Sequence, residues 1–223
     1  MIVGAHRSTR LVAAVAFTIS AAVPGAARVA DPAPIRARHR VAAQSDSLRF
    51  VTADTGNHAR YRVREQLVGF DLPNDAIGTT DAVTGTVAMG ANGKVSPQSG
   101  FTIDVTSLKS DQRRRDGYVQ GRILETAKFP TVTFTVTDID NLRLPLPTTG
   151  SRTFSLKGDL TVHGVTRPAT WRVTADIAGS AMSGTAETRF TFEDFGLIRP
   201  KVPVLLSVAD TIALEYAFRV IRK

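Results

Sequence analysis

Residues 131–137 read Thr-Val-Thr-Phe-Thr-Val-Thr, with Val132, Phe134 and Val136 at every second position and threonine between them. Successive side chains on a strand point to opposite faces, so this run has one apolar face and one wet face. The same phase recurs on both sides. Upstream, Phe101, Ile103 and Val105 alternate with Thr102, Asp104 and Thr106. Downstream, Phe154, Leu156, Leu160 and Val162 oppose Ser155, Lys157, Asp159 and Thr161, and Trp171, Val173, Ala175 and Ile177 oppose Arg172, Thr174 and Asp176. Phe190 and Phe192 oppose Glu187, Arg189 and Thr191, and the last run aligns Ile212, Leu214, Tyr216, Phe218 and Val220. Strands with one wet face belong to antiparallel sheet, because parallel strands are buried on both sides.

Shorter runs at 61–63 and 83–89 bring the strands to about eight. Turn signals separate them: Asn92-Gly93, residues 145–150, residues 164–168, residues 179–184 and Arg199-Pro200. A brief helix is expected between residues 110 and 126, capped by Asp111, with Val119, Ile123 and Leu124 as its apolar face. Gly117 and Gly121 each weaken it by about 1 kcal/mol relative to alanine. Ser107 and Ser110 precede it and read as capping residues. An eight-stranded antiparallel sheet with one apolar face closes into a barrel or folds as two packed sheets. A barrel of eight strands is filled by its own side chains or holds one small ligand, and periodicity alone does not choose. Strands of about nine residues span roughly 30 Å, enough for a lipid chain to lie along the lumen.

The chain has 223 residues, 43% of them hydrophobic, enough for one sizeable core and too many for a disordered chain. It has no cysteine, which excludes disulfide scaffolds, thiolate metal sites, iron–sulfur clusters and a lipidated N-terminal cysteine. Its net charge of +8 is unevenly placed. His6, Arg7 and Arg10 precede an uncharged run over residues 11–23, too short to span a bilayer, and Gly25 and Ala27 follow as a cleavage site. Residues 1–27 are therefore expected to be a cleaved signal peptide and the protein to be periplasmic or secreted. Residues 28–46, with two prolines and four arginines, read as a flexible basic linker that can touch an anionic membrane surface. The signal and the linker each carry two net positive charges, so residues 47–223 hold only +4. The cluster Arg113-Arg114-Arg115 is answered at once by Asp116, and no basic stripe interleaves with aromatics, so nucleic acid is not the expected partner. No later stretch is apolar for long enough to be a helical membrane span.

Five stretches carry a resemblance. They are Phe101-Thr-Ile-Asp-Val-Thr-Ser-Leu-Lys-Ser110 leading to Arg115-Asp116, Lys128-Phe-Pro-Thr-Val-Thr-Phe134, Gly158-Asp-Leu-Thr-Val-His-Gly-Val-Thr166, Asp194-Phe-Gly196 and Val208-Ala-Asp-Thr-Ile-Ala-Leu214. In order and spacing they resemble the YceI-like, or polyisoprenoid-binding, family of exported proteins over residues 101–221, and more loosely from Phe50. The resemblance implies an all-β fold: an eight-stranded antiparallel, lipocalin-like β-barrel with one short helix, whose pore takes a long isoprenoid or fatty chain and which has no enzymatic activity. Departures fall where a head group would be read. The family often has a histidine-serine pair near its first strand and a histidine two positions after the Arg-Asp pair. Here the first region reads Gly56-Asn-His-Ala-Arg-Tyr-Arg-Val-Arg64, Tyr118 follows Asp116-Gly117, and residues 70–80 also differ from the common form.

With that resemblance, the inward positions become lumen-lining candidates: Phe101, Ile103, Val132, Phe134, Val136, Leu156, Trp171, Val173, Phe190, Phe192, Leu214, Tyr216 and Phe218. The small residues Ala175, Ala186 and Thr188 leave room that a packed core would fill. Head-group candidates are Arg115, Asp116 and Glu65. For Arg115-Asp116 a structural ion pair is the plainer reading. Glu65 faces the lumen only if the strand of Tyr61 and Val63 runs on, where a carboxylate needs a partner or a raised pKa; the strand is expected to end first.

No catalytic residue, metal ligand or cofactor is assigned. Asp194-Phe195-Gly196 lacks every other kinase element and reads as a strand-end turn with Phe195 packed inward. His163-Gly164 reads as a hairpin turn, and with His58 it makes no metal site. Asp138-Ile-Asp140-Asn141 lacks the glycine and distal glutamate of a calcium loop, and no serine lies in a Gly-x-Ser-x-Gly elbow. Two other readings stay open: an interaction barrel with a filled core, and an exported enzyme acting on a lipid in the same pocket.

Overall fold

A computed structural model describes residues 48–223. The expected signal peptide and basic linker lie outside these residues. The chain forms β1 (Leu48–Thr52), β2 (His58–Leu67), β3 (Asn74–Thr80), β4 (Val83–Met89), β5 (Gly100–Asp104), β6 (Lys109–Ser110), α1 (Arg113–Tyr118), β7 (Thr131–Asp140), β8 (Thr149–Val162), β9 (Val165–Ala178), β10 (Ala181–Thr191) and β11 (Leu205–Arg222). A π-helical turn at Val119–Ile123 extends α1.

All pairings are antiparallel, and the sheet closes where β1 meets β11, with Phe50 opposite Arg222 and Thr52 opposite Val220. The first six strands are three interrupted staves. β1 and β2 both pair with β11, while β4 pairs with β1 and β3 with β2. β5 continues this wall against β4 and β7, and β6 against β3. With β7 to β11 as continuous staves, the molecule is a closed eight-stranded up-and-down barrel. Closure at β1–β11 removes the edge there, while β6, paired with β3 only, keeps a short free edge; each stave turns one face toward the lumen.

Local chemistry explains the joints. Val162 pairs with Val165 across His163 and Gly164, both at positive φ (51° and 75°), the conformation a two-residue hairpin demands. At the end of β10, Asp194 accepts from the Thr191 N–H at 2.6 Å, Gly196 takes a left-handed conformation and Phe195 is buried. That bond, with the Thr191 hydroxyl, holds the Asp194 carboxyl below the usual range.

Four expectations need correction. The strand from Phe101 ends at Asp104, not Thr106, because the Asp104 carboxylate accepts from the Thr106 N–H at 2.9 Å and starts a tight turn over Val105–Ser107. Asp111 does not cap α1; Gln112 holds the cap position without a side-chain bond, and Asp111 pairs with Arg115 instead. Ser107 caps no helix: its hydroxyl meets Thr80 Oγ1 at 2.6 Å, while Ser110 accepts from the Gln112 N–H in a turn just before α1. Finally, β2 runs through Glu65 to Leu67, so this carboxylate does turn inward and is buried.

Candidate functional site

The inward faces of all eight staves bound one apolar cavity of about 200 Å³. That is more than ten times the space one buried water needs. Its wall includes Phe101, Ile103, Val132, Phe134, Leu156, Trp171, Val173, Phe190, Phe192, Leu214, Tyr216 and Phe218. Val136, the remaining inward position expected from alternation, is 1% exposed but stands off the wall, at the point where the β7–β8 register shifts. Phe50, Val87, Ile139, Leu142, Met182 and Leu197 also line the wall at positions that alternation did not single out, as do Thr80 and the ion-paired Arg60 and Glu215. Val119, Ile123 and Leu124, expected as the apolar face of the helix, enter it through the π-helical turn.

The lumen is long. On β11 the wall runs from Ile212 to Val220, about 27 Å of extended strand, or about 20 Å along the axis of a barrel with ordinary strand tilt. Aromatic side chains reach past intervening staves: Phe101 of β5 meets Tyr216 of β11 edge-on at 5.7 Å across the lumen, and Phe134 of β7 tilts against Trp171 of β9 at 5.8 Å. Ala186 lies on the wall where a larger residue would fill the space.

Polar groups near the lumen are few and mostly satisfied. The Tyr216 hydroxyl donates to Asn57 Oδ1 at 2.7 Å, and Asn57 is held in turn by the Ala53 carbonyl and the Arg219 N–H. Burial pushes the Tyr216 phenol well above its ordinary range, and the Tyr61 phenol to about 12 although Arg115 opposes that rise. Both therefore stay neutral donors. The exception is Trp171 Nε1, which is buried with no hydrogen-bond partner among the described residues. Leaving such a donor unpaired costs about 1–3 kcal/mol.

The head-group candidates gather near Tyr61 but off the cavity wall. Arg115 Nη2 donates to Glu65 Oε1 at 2.7 Å, and the two side chains are only 15% and 8% exposed. Asn74 reaches the same oxygen at 3.5 Å. Arg115 pairs with Glu65 and Asp111, and Asp116 takes no part in that pairing. Asp116 accepts from the Ser110 N–H at 2.8 Å and its hydroxyl at 2.6 Å, tying β6 to α1. Among the described residues no group of three or more His, Asp and Glu is placed to hold a metal ion, and no helix is long and apolar enough to cross a membrane. His163 is bonded to Glu125 at 2.6 Å, and Asp140 pairs with Lys157.

Comparison with known proteins agrees with this geometry. The chain is 29% identical over 147 residues to Protein YceI of Escherichia coli O157:H7, covering 66% of this chain and 70% of that one. It is 30% identical over 145 residues to a UPF0312 protein of Pseudomonas fluorescens, covering 62% and 71%. Among solved structures, a polyisoprenoid binding domain from Saccharophagus degradans implicated in plant cell wall breakdown superposes with a TM-score of 0.57 at 12% identity, over 78% of this chain and 98% of that one. Burkholderia cenocepacia BcnA gives 0.55 at 18% identity, over 73% and 95%. A model of the YceI-like domain matches residues 48–220, the whole barrel but its last residues, and the chain belongs to that family.

Proposed function

We propose that this protein is an exported carrier that holds one long apolar lipid, an isoprenoid, polyprenyl quinone or fatty-chain amphiphile, in the barrel lumen. The observation that carries the reading is the cavity itself, about 200 Å³ walled by apolar and aromatic side chains from every stave. The mechanism is transfer of apolar surface out of water. A chain that hides about 300 Å² gains about 7 kcal/mol before the cost of immobilising it. Such contact is non-directional, so selectivity among chains of similar width is loose. The similar Saccharophagus domain is described as polyisoprenoid-binding, which supports the ligand class. Export to the periplasm or beyond is supported by the leader read in residues 1–27. Apart from Thr80 and the ion-paired Arg60 and Glu215, the wall is aliphatic and aromatic, which supports binding over turnover.

Organic extraction of the purified protein followed by mass spectrometry tests the proposal. A co-purified lipid, with uptake of a fluorescent apolar probe after its removal, is the expected result. No extracted lipid together with no probe uptake would overturn it.

A further inference from the structure

Trp171 is the one buried side chain among the described residues whose polar atom finds no partner. It sits mid-way along β9, opposite Leu156 of β8, on the lumen wall and 8% exposed, with Phe134 tilted against its ring. Elsewhere the barrel satisfies its buried polar groups closely. Tyr216 has Asn57, Glu65 has Arg115, and the Thr188 hydroxyl donates to the Thr170 carbonyl at 3.0 Å. An orphaned donor in such a structure needs an explanation. Packing does not supply one, because a phenylalanine would line the same wall without the desolvation cost. A buried water does not supply one either: it needs two to four polar partners, and the lumen surface that Trp171 lines is almost wholly apolar.

We propose that the Trp171 Nε1–H is a ligand-binding donor, and that the lipid held in the lumen presents an oxygen acceptor at its level. The inference rests on the carrier reading and narrows it. An indole only donates, so the ligand must bring a lone pair, which a plain hydrocarbon cannot. A carbonyl or ether oxygen suits the site better than an alcohol. A hydroxyl that accepted from Trp171 would bury its own hydrogen against hydrocarbon, recreating the problem it solved. The wall thus selects for width along its length and for one acceptor at one depth.

The chain contains a single tryptophan, so one indole resonance reports this site alone. Delipidated, ¹⁵N-labelled protein is titrated with a long n-alkane and with the ketone of the same carbon number bearing a mid-chain carbonyl. The expected result is a downfield shift of the indole proton with the ketone and not with the alkane. The ketone should also bind about tenfold more tightly, as one added hydrogen bond implies, and Trp171→Phe should abolish that preference while still binding the alkane. An indole proton unmoved by bound ketone, or a preference that survives in Trp171→Phe, overturns the inference and leaves the carrier reading standing. If neither probe binds, the carrier reading falls and takes this inference with it.

Discussion

Glu215 shows how a single side chain departs from the alternation around it. It lies between the inward residues Leu214 and Tyr216, so it points outward, yet its side chain is only 9% exposed. Arg60 and Arg62, two residues apart on β2, fold over it from the neighbouring stave: Arg62 Nη2 donates to Oε1 at 2.6 Å and Arg60 holds Oε2. Burial alone would push this carboxyl up, but the hydrogen bonds from Arg62 and Arg60 outweigh it and hold the group below its ordinary value. A carboxyl lowered in the folded state contributes its stability above the unfolded pKa and loses it as pH falls through the folded one. Glu215→Gln should therefore destabilise the barrel by about 1–2 kcal/mol near neutral pH, a value reduced for the exposure of both arginines. The two proteins should converge in acid, below the carboxylate range. Denaturant titrations at pH 7 and in acid measure this, and a gap that persists undiminished in acid would contradict it. Glu65 is the inward counterpart. From sequence it looked too costly to bury, because its partner Arg115 lies 50 residues away on a helix whose position alternation does not reveal.

The staves differ in how plainly their sequences announce them. β7 to β11 are long and keep a period of two except at the register shifts in β7 and in the first half of β11, so most of their inward faces are read directly from the chain. β3 is nearly silent: its inward positions are Ala76, Gly78 and Thr80, with no large apolar residue among them. The cause is packing, since the Tyr61 ring occupies the place where a Cβ at Gly78 would stand, 2.3 Å from it. One bulky residue on β2 thus fills space for two staves and hides the second. β1 is short and carries only Leu48 and Phe50 inward, too few to establish a period. The cavity wall was legible over most of the alternating runs, although Val136 keeps the phase and stands off the wall, and Met182, Leu142 and Leu197 were missed at strand ends or in loops that have no period to read. Bends are a third silent feature. Gly158 faces Val136 next to the bulge in β7, and a Cβ there would stand 1.9 Å from the Thr135 carbonyl oxygen. Backbone does not yield to such a contact as a flexible side-chain tip does. Gly158→Ala should cost about 1–3 kcal/mol and lower the melting temperature by several degrees, measured by calorimetry. An unchanged melting temperature would mean that β7 and β8 do not approach this closely.

At the scale of the molecule the two ends of the barrel are unlike. Among the described residues, the six large apolar side chains most exposed to solvent are Val68, Phe70, Leu72, Ile198, Val204 and Leu206. They lie in the chain joining β2 to β3, in the chain entering β11 and, for Leu206, at the start of β11; the two connections meet where the Val68 N–H donates to the Val204 carbonyl at 3.0 Å. Leu197, next to Ile198, already lines the cavity, so apolar surface continues from the lumen wall to the outside at this end. Arg113 and Arg114 of α1 and Lys201 stand exposed at the same end without a carboxylate partner among the described residues. An apolar rim where, among the described residues, three free cations outnumber the unpaired Asp71 and Glu193 suits an anionic lipid surface, where a water-insoluble chain can pass into the barrel without crossing bulk solvent. Exchange of a fluorescent lipid between anionic vesicles and the protein should therefore speed up in proportion to vesicle concentration, as a collisional step requires. Replacing Phe70 and Leu72 together by serine should slow that exchange several-fold. Because both side chains are exposed, the substitution should leave the melting temperature and the affinity for a soluble apolar probe nearly unchanged. Exchange at a rate independent of vesicle concentration, or as fast in the double variant as in the parent, would show that the lipid reaches the lumen through water and that this end serves some other contact.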